Sequence, residues 1–270
     1  MAAAESALAA RVAVALPLLL VAIAAIWLGG LAFSLLVALG VCLILWEWGA
    51  MHNSPAGWRL PGLLLLLAIT AQAHLGQPQH ALALLAIVAA LTLIAARLAK
   101  LPAGRRLTAG LLYAGLPAIA LITLRSNPNG FHLVLWTMGI VWATDIFAYF
   151  AGRAIGGPKL WPALSPNKTW AGLIGGMAGA AIVAAIYGHF AAFPQRWPLL
   201  LLIGAGLAAV AQSGDLFESW LKRRAGVKDS GRILASHGGV MDRVDGLIPV
   251  AILVALWAAL QPFATQALIP

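Results

Sequence analysis

Long apolar runs separated by short polar stretches dominate this chain. Nine runs are candidate membrane-spanning helices, because a helix needs about 20 residues to cross about 30 Å of hydrocarbon. They cover residues 12–28, 31–47, 60–75, 81–98, 107–124, 131–151, 170–193, 198–219 and 246–264. The third run is the shortest and weakest of them. The pattern predicts an all-α, polytopic membrane protein with about nine transmembrane helices.

Composition favours one integral membrane unit without a soluble domain. The 270 residues are 62% hydrophobic and 9% charged, whereas a soluble domain has about 25% charged residues. We divide the unit into residues 1–130, with about five helices, and residues 131–270, which carry most of the polar patterns. We expect the first run to be a retained anchor, because a second run follows it almost at once. The single cysteine, Cys42, excludes an intramolecular disulfide and suggests no cysteine-based metal site.

Basic residues predict the orientation. With the N-terminus in the cytoplasm, fifteen of the seventeen Lys and Arg residues fall in cytoplasmic segments, and only Arg125 and Arg196 lie on the other side. Cytoplasmic loops of membrane proteins are enriched in these residues. The net charge of +9 therefore needs no nucleic-acid partner. One basic cluster orients the chain and would also attract anionic lipid: Arg97, Lys100, Arg105 and Arg106.

Residues 219–245 form the stretch around which the chain is organised. These 27 residues hold six of the seventeen Lys and Arg residues and three of the eight acids. Cations beside a Gly-Gly pair suit a phosphate-bearing ligand, and carboxylates near those cations suit a divalent metal that bridges phosphates. The alternative is a solvated, positively charged loop between two membrane helices.

The end of the eighth run presents Asp215, Ser219 and Lys222 on one helix face, because their spacing is i, i+4 and i+7. Asp215 follows an apolar run, and acids inside membrane spans are usually functional. The alternative is an interfacial acid that pairs with Lys222 or Arg223.

The start of the ninth run carries Asp242 and Asp245, which are three positions apart and therefore share a helix face. We predict metal binding for Asp242, while Asp245 could equally cap the ninth helix. The preceding Gly238 and Gly239 would let the backbone approach a phosphate closely, unless they form a plain turn. His237, taken alone, is more often a structural hydrogen-bonding residue than a catalyst.

Two further patterns lie at the same predicted face. Asp145, Tyr149 and Arg153 follow helical spacing, and the alternative to a functional role is an internal Asp–Arg pair. Residues 165–169, Ser-Pro-Asn-Lys-Thr, could hold an anion at the N-terminus of the seventh helix. The alternative is an N-cap from this segment. Inside the seventh run, three small residues predict close helix packing: Gly175, Gly176 and Gly179.

The polar stretch matches a pattern with many fixed positions. It runs Ser219-x-Leu221-Lys222-Arg223, then Lys228-Asp229-x-Gly231, then His237-Gly238-Gly239, and ends with Asp242-Arg243-x-Asp245. This pattern closely resembles that of phosphatidate cytidylyltransferases, also called CDP-diacylglycerol synthases. Residues 145–153 and 165–172 also look like that family. The resemblance covers the whole chain and is strongest over residues 140–250.

The resemblance implies transfer of the cytidylyl group of CTP to phosphatidic acid, which gives CDP-diacylglycerol and pyrophosphate. It implies Mg²⁺ as the cofactor, held by Asp215 and Asp242, with a second cation left open. Lys222 and Arg243 are expected to join these acids in catalysis. Substrate contacts are expected from Ser219, Lys168, Lys228, His237, Gly238, Gly239 and Asp245. The expected location is a bacterial inner membrane, where membrane lipids surround the protein. The active site, formed by residues 131–270, is expected to face the cytoplasm. The expected assembly is a homodimer.

Other functions remain as alternatives at this stage. A transporter should place its ionisable groups near the bilayer midplane, whereas here they crowd one predicted face. Nearer alternatives are a polyprenol kinase or another CTP-dependent lipid cytidylyltransferase, such as one that acts on an ether lipid.

Overall fold

Ten helices and one short hairpin make up the part of the chain that the structure describes. The computed structural model describes residues 16–54, 56–100, 102–191, 193, 196–231, 233 and 238–260. Helices α1–α5 are Leu16–Leu28, Gly30–Met51, Ala56–His74, Pro78–Leu98 and Pro102–Ser126. Helix α6 (Gly130–Ile155) is followed by strands β1 (Lys159–Trp161) and β2 (Ser165–Thr169). Helices α7–α10 are Trp170–Phe190, Trp197–Ala225, Met241–Val244 and Leu247–Leu260.

Six of these helices are long and apolar enough to span a membrane, counted over the described residues: α2 and α4–α8. Helices α1 and α10 are apolar but shorter. The prediction of a helical integral membrane protein is therefore confirmed.

Helix α3, the weak third run, lies antiparallel to α2. At one end, the Arg59 guanidinium donates to the carbonyl oxygens of Gly49 and Ser54. At the other end, the Ser34 hydroxyl and His74 Nδ1 share a hydrogen bond of 2.9 Å. Helix α3 therefore follows most of the length of α2, although it is not among the six strongly apolar helices of the described residues.

The start of the ninth run differs from the prediction. Asp242 lies on the one-turn helix α9, whereas Asp245 lies in the turn before α10. The two acids, whose spacing predicted a shared helix face, therefore lie on different elements. Pro249 has no amide hydrogen, so the Asp245 carbonyl lacks the partner that a continuous helix would supply. That carbonyl instead lies against Gly214 of α8, where a β-carbon would collide with it.

The segment between α6 and α7 folds into a hairpin that contains residues 165–169. Strands β1 and β2 are antiparallel, with Trp161 opposite Ser165. Helix α6 ends before Gly156, whose φ of +68° is a conformation that favours glycine. The Thr169 hydroxyl accepts a hydrogen bond of 3.0 Å from the Gly172 amide, so the N-cap alternative is confirmed for Thr169.

Small residues let α6 and α7 pack closely on either side of this hairpin. A β-carbon on Gly175 would collide with Ala151, and one on Gly179 would collide with the Phe147 ring. The packing role predicted for these glycines is confirmed. The close packing holds the two ends of the hairpin in place, and Lys168 of the hairpin contacts α8.

The two ends of the bundle differ in charge. Where α2 ends and α5 begins, Arg106 donates to the His52 carbonyl, and Arg106 lines a cavity together with Arg224 of α8. At the opposite end, the Arg125 guanidinium donates to the carbonyl oxygens of Ile26 and Trp27. The end that carries Arg106 is called the polar end below, because it also carries the candidate site.

Candidate active site

Asp242 is at the centre of the site. Its Oδ2 accepts hydrogen bonds from the Gly239 amide at 2.9 Å and from the amide and hydroxyl of Ser230 at 3.1 and 3.0 Å. Lys222 Nζ donates to Oδ1 at 2.7 Å. Burial alone raises the pKa of Asp242, but the hydrogen bonds from Lys222 and Gly239 outweigh burial and hold this pKa below its usual range. Asp242 is therefore an ionised carboxylate at neutral pH.

Lys222 links two carboxylates. Its Nζ lies 2.7 Å from Asp242 Oδ1 and 3.5 Å from Glu218 Oε2. Glu218 is fully buried and accepts no hydrogen bond from the described residues. A buried carboxylate is costly without a cation, and Lys222 supplies that cation most directly to Asp242. Lys222 is one of the four residues that sequence analysis predicted to act in catalysis, whereas Glu218 is absent from that prediction.

Glu47 enters the site from the N-terminal half of the chain. It lies in the last turns of α2 and is only 1% exposed. Its Oε1 accepts a hydrogen bond from the Val240 amide and its Oε2 one from the Met241 amide, both at 2.9 Å. The Ser230 hydroxyl lies 3.2 Å from Glu47 Oε2. These contacts hold the segment that carries Asp242 against α2.

The Gly-Gly pair is required by the close packing of these carboxylates. Gly238 has a φ of +78°, and a β-carbon there would lie 2.9 Å from Asp242 Oδ2. At Gly239 a β-carbon would collide with the Ser230 hydroxyl and the Glu47 carboxylate. The Gly239 amide already donates to Asp242. A direct contribution of these glycines to phosphate binding stays a prediction.

Asp215 forms an ion pair with Lys168 of the β1–β2 hairpin. Lys168 Nζ lies 2.5 Å from Asp215 Oδ2 and donates to Gln212 Oε1 at 2.8 Å. The Ser219 hydroxyl is 3.5 Å from Asp215 Oδ1. Asp215 therefore pairs with Lys168, while Lys222, the partner considered in the sequence, pairs with Asp242 and Glu218. The structure thus brings Lys168, Asp215 and Ser219 together as one group.

Further acids converge beside Asp215. Burial, together with the negative charge of Asp215, raises the pKa of Asp245. Asp245 Oδ1 accepts a hydrogen bond of 2.8 Å from the Gly246 amide. Asp145 of α6 is close enough to interact electrostatically with Asp215 and Asp245. Carboxylates from three segments therefore form a negative centre that a cation would stabilise.

The remaining predicted residues lie at the surface or outside the described residues. Lys228 and Arg243 are exposed at the polar end, and His237 lies outside the described residues. The Arg153 guanidinium donates to the Tyr149 hydroxyl at 2.7 Å, so this arginine contacts the tyrosine of the predicted Asp145 pattern. Lys228 and Arg243 place positive charge at the exposed surface of the polar end.

Sequence analysis missed Glu47, Glu218 and Ser230. The signal for Glu47 was present, because an acid inside an apolar run is the same pattern that singled out Asp215. Glu218 lies four residues before Lys222, and this i, i+4 spacing predicts that the two side chains meet on a helix. Ser230 has no such signal, because its role depends on contacts with residues that are 12 and 183 positions away.

The carboxylates fit a magnesium ion in part. Mg²⁺ commonly uses one or two protein carboxylates together with water and substrate phosphates. Among the described residues, no group of three or more His, Cys, Asp or Glu side chains could hold a metal on its own. Asp215 could serve as one such carboxylate, because its side chain is 34% exposed and, among the described residues, it forms an ion pair with Lys168. Asp242 already accepts hydrogen bonds on both oxygens, so its part as a metal ligand stays a prediction.

A sequence model of the cytidylyltransferase family matches residues 9–260. The phosphatidate cytidylyltransferase of Brucella abortus is 41% identical over 249 residues, which are 87% of each chain. The enzyme of the same name from Pseudomonas aeruginosa is 37% identical over 265 residues, 92% of this chain and 97% of its own. The chain therefore belongs to the phosphatidate cytidylyltransferase family.

Proposed function

We propose that this protein transfers the cytidylyl group of CTP to phosphatidic acid, which yields CDP-diacylglycerol and pyrophosphate. The observation that carries the proposal is the match to phosphatidate cytidylyltransferases over 87% or more of the chain. The family match includes every candidate site residue, since it extends from residue 9 to residue 260.

The reaction needs cations more than a protein base. The phosphate monoester of the lipid has a second pKa of about 6, so it is largely a dianion at pH 7. One of its oxygens attacks the α-phosphorus of CTP, and the bond from that phosphorus to the oxygen that bridges to the β-phosphate breaks. Pyrophosphate leaves with the electron pair of that bond. Catalysis then depends on positioning and on neutralising negative charge.

The charged residues at the polar end suit these tasks. We assign Asp215 and Asp242 to Mg²⁺, which when bound would neutralise phosphate charge and polarise the α-phosphate. Lys222 and Lys168 lie against these acids and can move to phosphate oxygens when the nucleotide arrives. Arg243 and Lys228, at the exposed edge, suit the outer phosphates, and Ser219 beside Asp215 suits a further contact.

An apolar cavity beside the acids supports a lipid substrate. It has a volume of about 250 Å³ and is lined by side chains of α1, α2, α5 and α6. Its wall also includes Val240 and Val244, which flank Asp242 in the chain. An acyl chain in this cavity would reach the segment that carries the catalytic carboxylate. We therefore assign the cavity to one acyl chain of phosphatidic acid.

We further propose nine spans, a cytoplasmic N-terminus and an active site that faces the cytoplasm of a bacterial inner membrane. The antiparallel course of α2 and α3 supports counting α3 as a crossing. The segregation of Arg106, Lys168 and Lys222 from Arg125 supports the orientation. A homodimer is proposed on the resemblance to the family alone.

Radiolabelled CTP tests the proposed reaction. With purified protein, phosphatidic acid and Mg²⁺, label from the α-phosphate should enter the lipid, and label from the γ-phosphate should leave in pyrophosphate. Transfer of the γ-label to a lipid would identify a kinase instead. No transfer of either label, under conditions where a cytidylyltransferase of the family is active, would contradict the proposal.

A further inference from the structure

A second cavity lies at the polar end, on the other side of α8 from the acids. Its volume is about 600 Å³, and it opens where α2 and α8 end and α5 begins. Its walls combine aromatic rings and guanidinium groups from these three helices: Trp48, Phe217, Trp220, Arg105, Arg106 and Arg224. We call it the arginine cavity.

The arginine cavity has the chemistry of an anion site. No acidic side chain is among its lining residues within the described part of the chain. Arg224 lies over the Trp220 ring at 5.2 Å, and Arg106 donates to the His52 carbonyl at 3.2 Å. Arg105 is exposed beside them. Guanidinium groups bind phosphate through paired N–H donors, so three in one cavity favour a phosphate ligand.

The geometry of α8 separates this cavity from the active site. Successive helical residues turn by about 100°. Asp215, Glu218, Ser219 and Lys222 therefore share one face of the helix. Phe217, Trp220, Leu221 and Arg224 share the opposite face, and all four line the arginine cavity. A ligand in this cavity would therefore not compete directly with one bound at Asp215.

The position of the arginine cavity and its tryptophans indicate that the phosphate ligand belongs to a lipid headgroup. The cavity lies at the ends of three helices, two of which, α2 and α8, carry its tryptophans. Tryptophan is enriched at the membrane–water interface, and basic pockets between transmembrane helices bind the headgroups of anionic lipids. The aromatic rings would contact the glycerol and upper acyl groups, while the arginines would contact the phosphate.

We propose that the arginine cavity binds the headgroup of an anionic phospholipid at a site separate from the active site. Trp48 of this cavity follows Glu47, which holds the segment around Met241. A lipid bound here would stabilise the last turn of α2 and with it the backbone of the active site.

Thermal unfolding of the full-length protein in detergent, without CTP, tests the proposal. Added phosphatidylglycerol should raise the unfolding midpoint of the wild type by about 5 °C near saturation. Phosphatidylcholine and inorganic phosphate should leave it within about 1 °C. The double variant Arg105→Gln, Arg224→Gln should lose the response to phosphatidylglycerol. An equal response to inorganic phosphate would overturn the assignment to a lipid.

Two further variants make the test specific. Arg97→Gln with Lys100→Gln removes two exposed charges close in sequence to Arg105 but outside the cavity lining, and it should keep the full response. Ala109→Phe leaves the charges in place but fills the cavity, and it should abolish the response. The proposal is wrong if the control variant loses the response as well. It is also wrong if the Arg105–Arg224 double variant and Ala109→Phe both keep it.

Discussion

Glu47 Oε2 accepts a hydrogen bond of 2.9 Å from the Met241 amide, although 194 positions of sequence separate the two residues. Helix α2 therefore contributes directly to the site, since the same carboxylate also accepts a hydrogen bond from the Val240 amide. The contact places a buried negative charge behind the backbone that positions Asp242. Its removal should disturb the active site through geometry, without removing a group that touches substrate.

Glu47→Gln keeps the size of this side chain but puts an NH₂ group where one amide hydrogen bond is accepted. A hydrogen bond to a charged group contributes about 1.5–3 kcal/mol, so we expect activity to fall roughly 10- to 100-fold. The measurement is cytidylyl transfer together with a thermal melt. Ser34→Ala, at the other end of α2, is the control, because it removes the contact with His74 and should leave activity near that of the wild type. Wild-type activity of Glu47→Gln would contradict the positioning role.

The helices and part of the site could be predicted from sequence because both depend on local signals. Apolar length predicts spans, and helical spacing predicts that Asp215, Ser219 and Lys222 share a face. The motif resemblance extended this prediction to Asp242, which the structure places against Lys222. These predictions need no knowledge of how distant helices pack.

The partners of those residues could not be predicted in the same way. The Lys168–Asp215 pair and the contact between Glu47 and Met241 arise when separate helices pack together, and helical periodicity does not encode which ones meet. The break between α9 and α10 depends on Pro249 and on the close approach of Gly214 to the Asp245 carbonyl. Proline was visible in the sequence, but the approach of α8 was not.

Asp245→Asn should make the protein more stable at pH 7. Burial and Asp215 raise the pKa of Asp245 in the folded state, so folding with this carboxylate ionised is unfavourable relative to the unfolded chain. The wild type regains stability as pH falls through the raised pKa towards the unfolded value of about 3.9. The difference between the two proteins should therefore shrink between pH 7 and pH 4. Thermal melts in EDTA measure it, and a variant less stable than the wild type at pH 7 would contradict this electrostatic account.

Gly40→Leu tests the acyl-chain cavity. Gly40 lines that cavity, and a β-carbon there would meet no atom within 4 Å, so the new side chain enters open space. Excluding two methylenes of an acyl chain would lose about 1.6 kcal/mol, or roughly tenfold in KM for dioleoyl phosphatidic acid. The KM for a dihexanoyl substrate should change less than about twofold. Gly206→Leu in α8 is the matched control, since its β-carbon also meets open space but lies outside the cavity lining. If both variants raise the KM for the long-chain substrate equally, the assignment of the cavity to an acyl chain is wrong.

The proposed orientation predicts one-sided labelling. In a Cys42→Ser background, Asp229→Cys at the exposed polar end should react with a membrane-impermeant thiol reagent only after the cell is opened. Ser126→Cys, exposed where α5 ends, should react in intact cells. The opposite pattern would show that the polar end faces outwards.

Asp215→Asn tests the metal centre, because it keeps the shape of the side chain and removes its charge. Loss of a metal-centred stabilisation of the transferring phosphate should cost on the order of 3–4 kcal/mol, or roughly 10²–10³ in rate. Higher Mg²⁺ should restore part of the activity if the main defect is weaker metal binding. Gln212→Ala is the matched control, since it removes the other partner of Lys168 without removing a carboxylate, and its activity should not depend more steeply on Mg²⁺ than that of the wild type. If Asp215→Asn acts through release of Lys168 alone, its defect should be insensitive to Mg²⁺. In that case Asp215 positions the lysine and holds no metal.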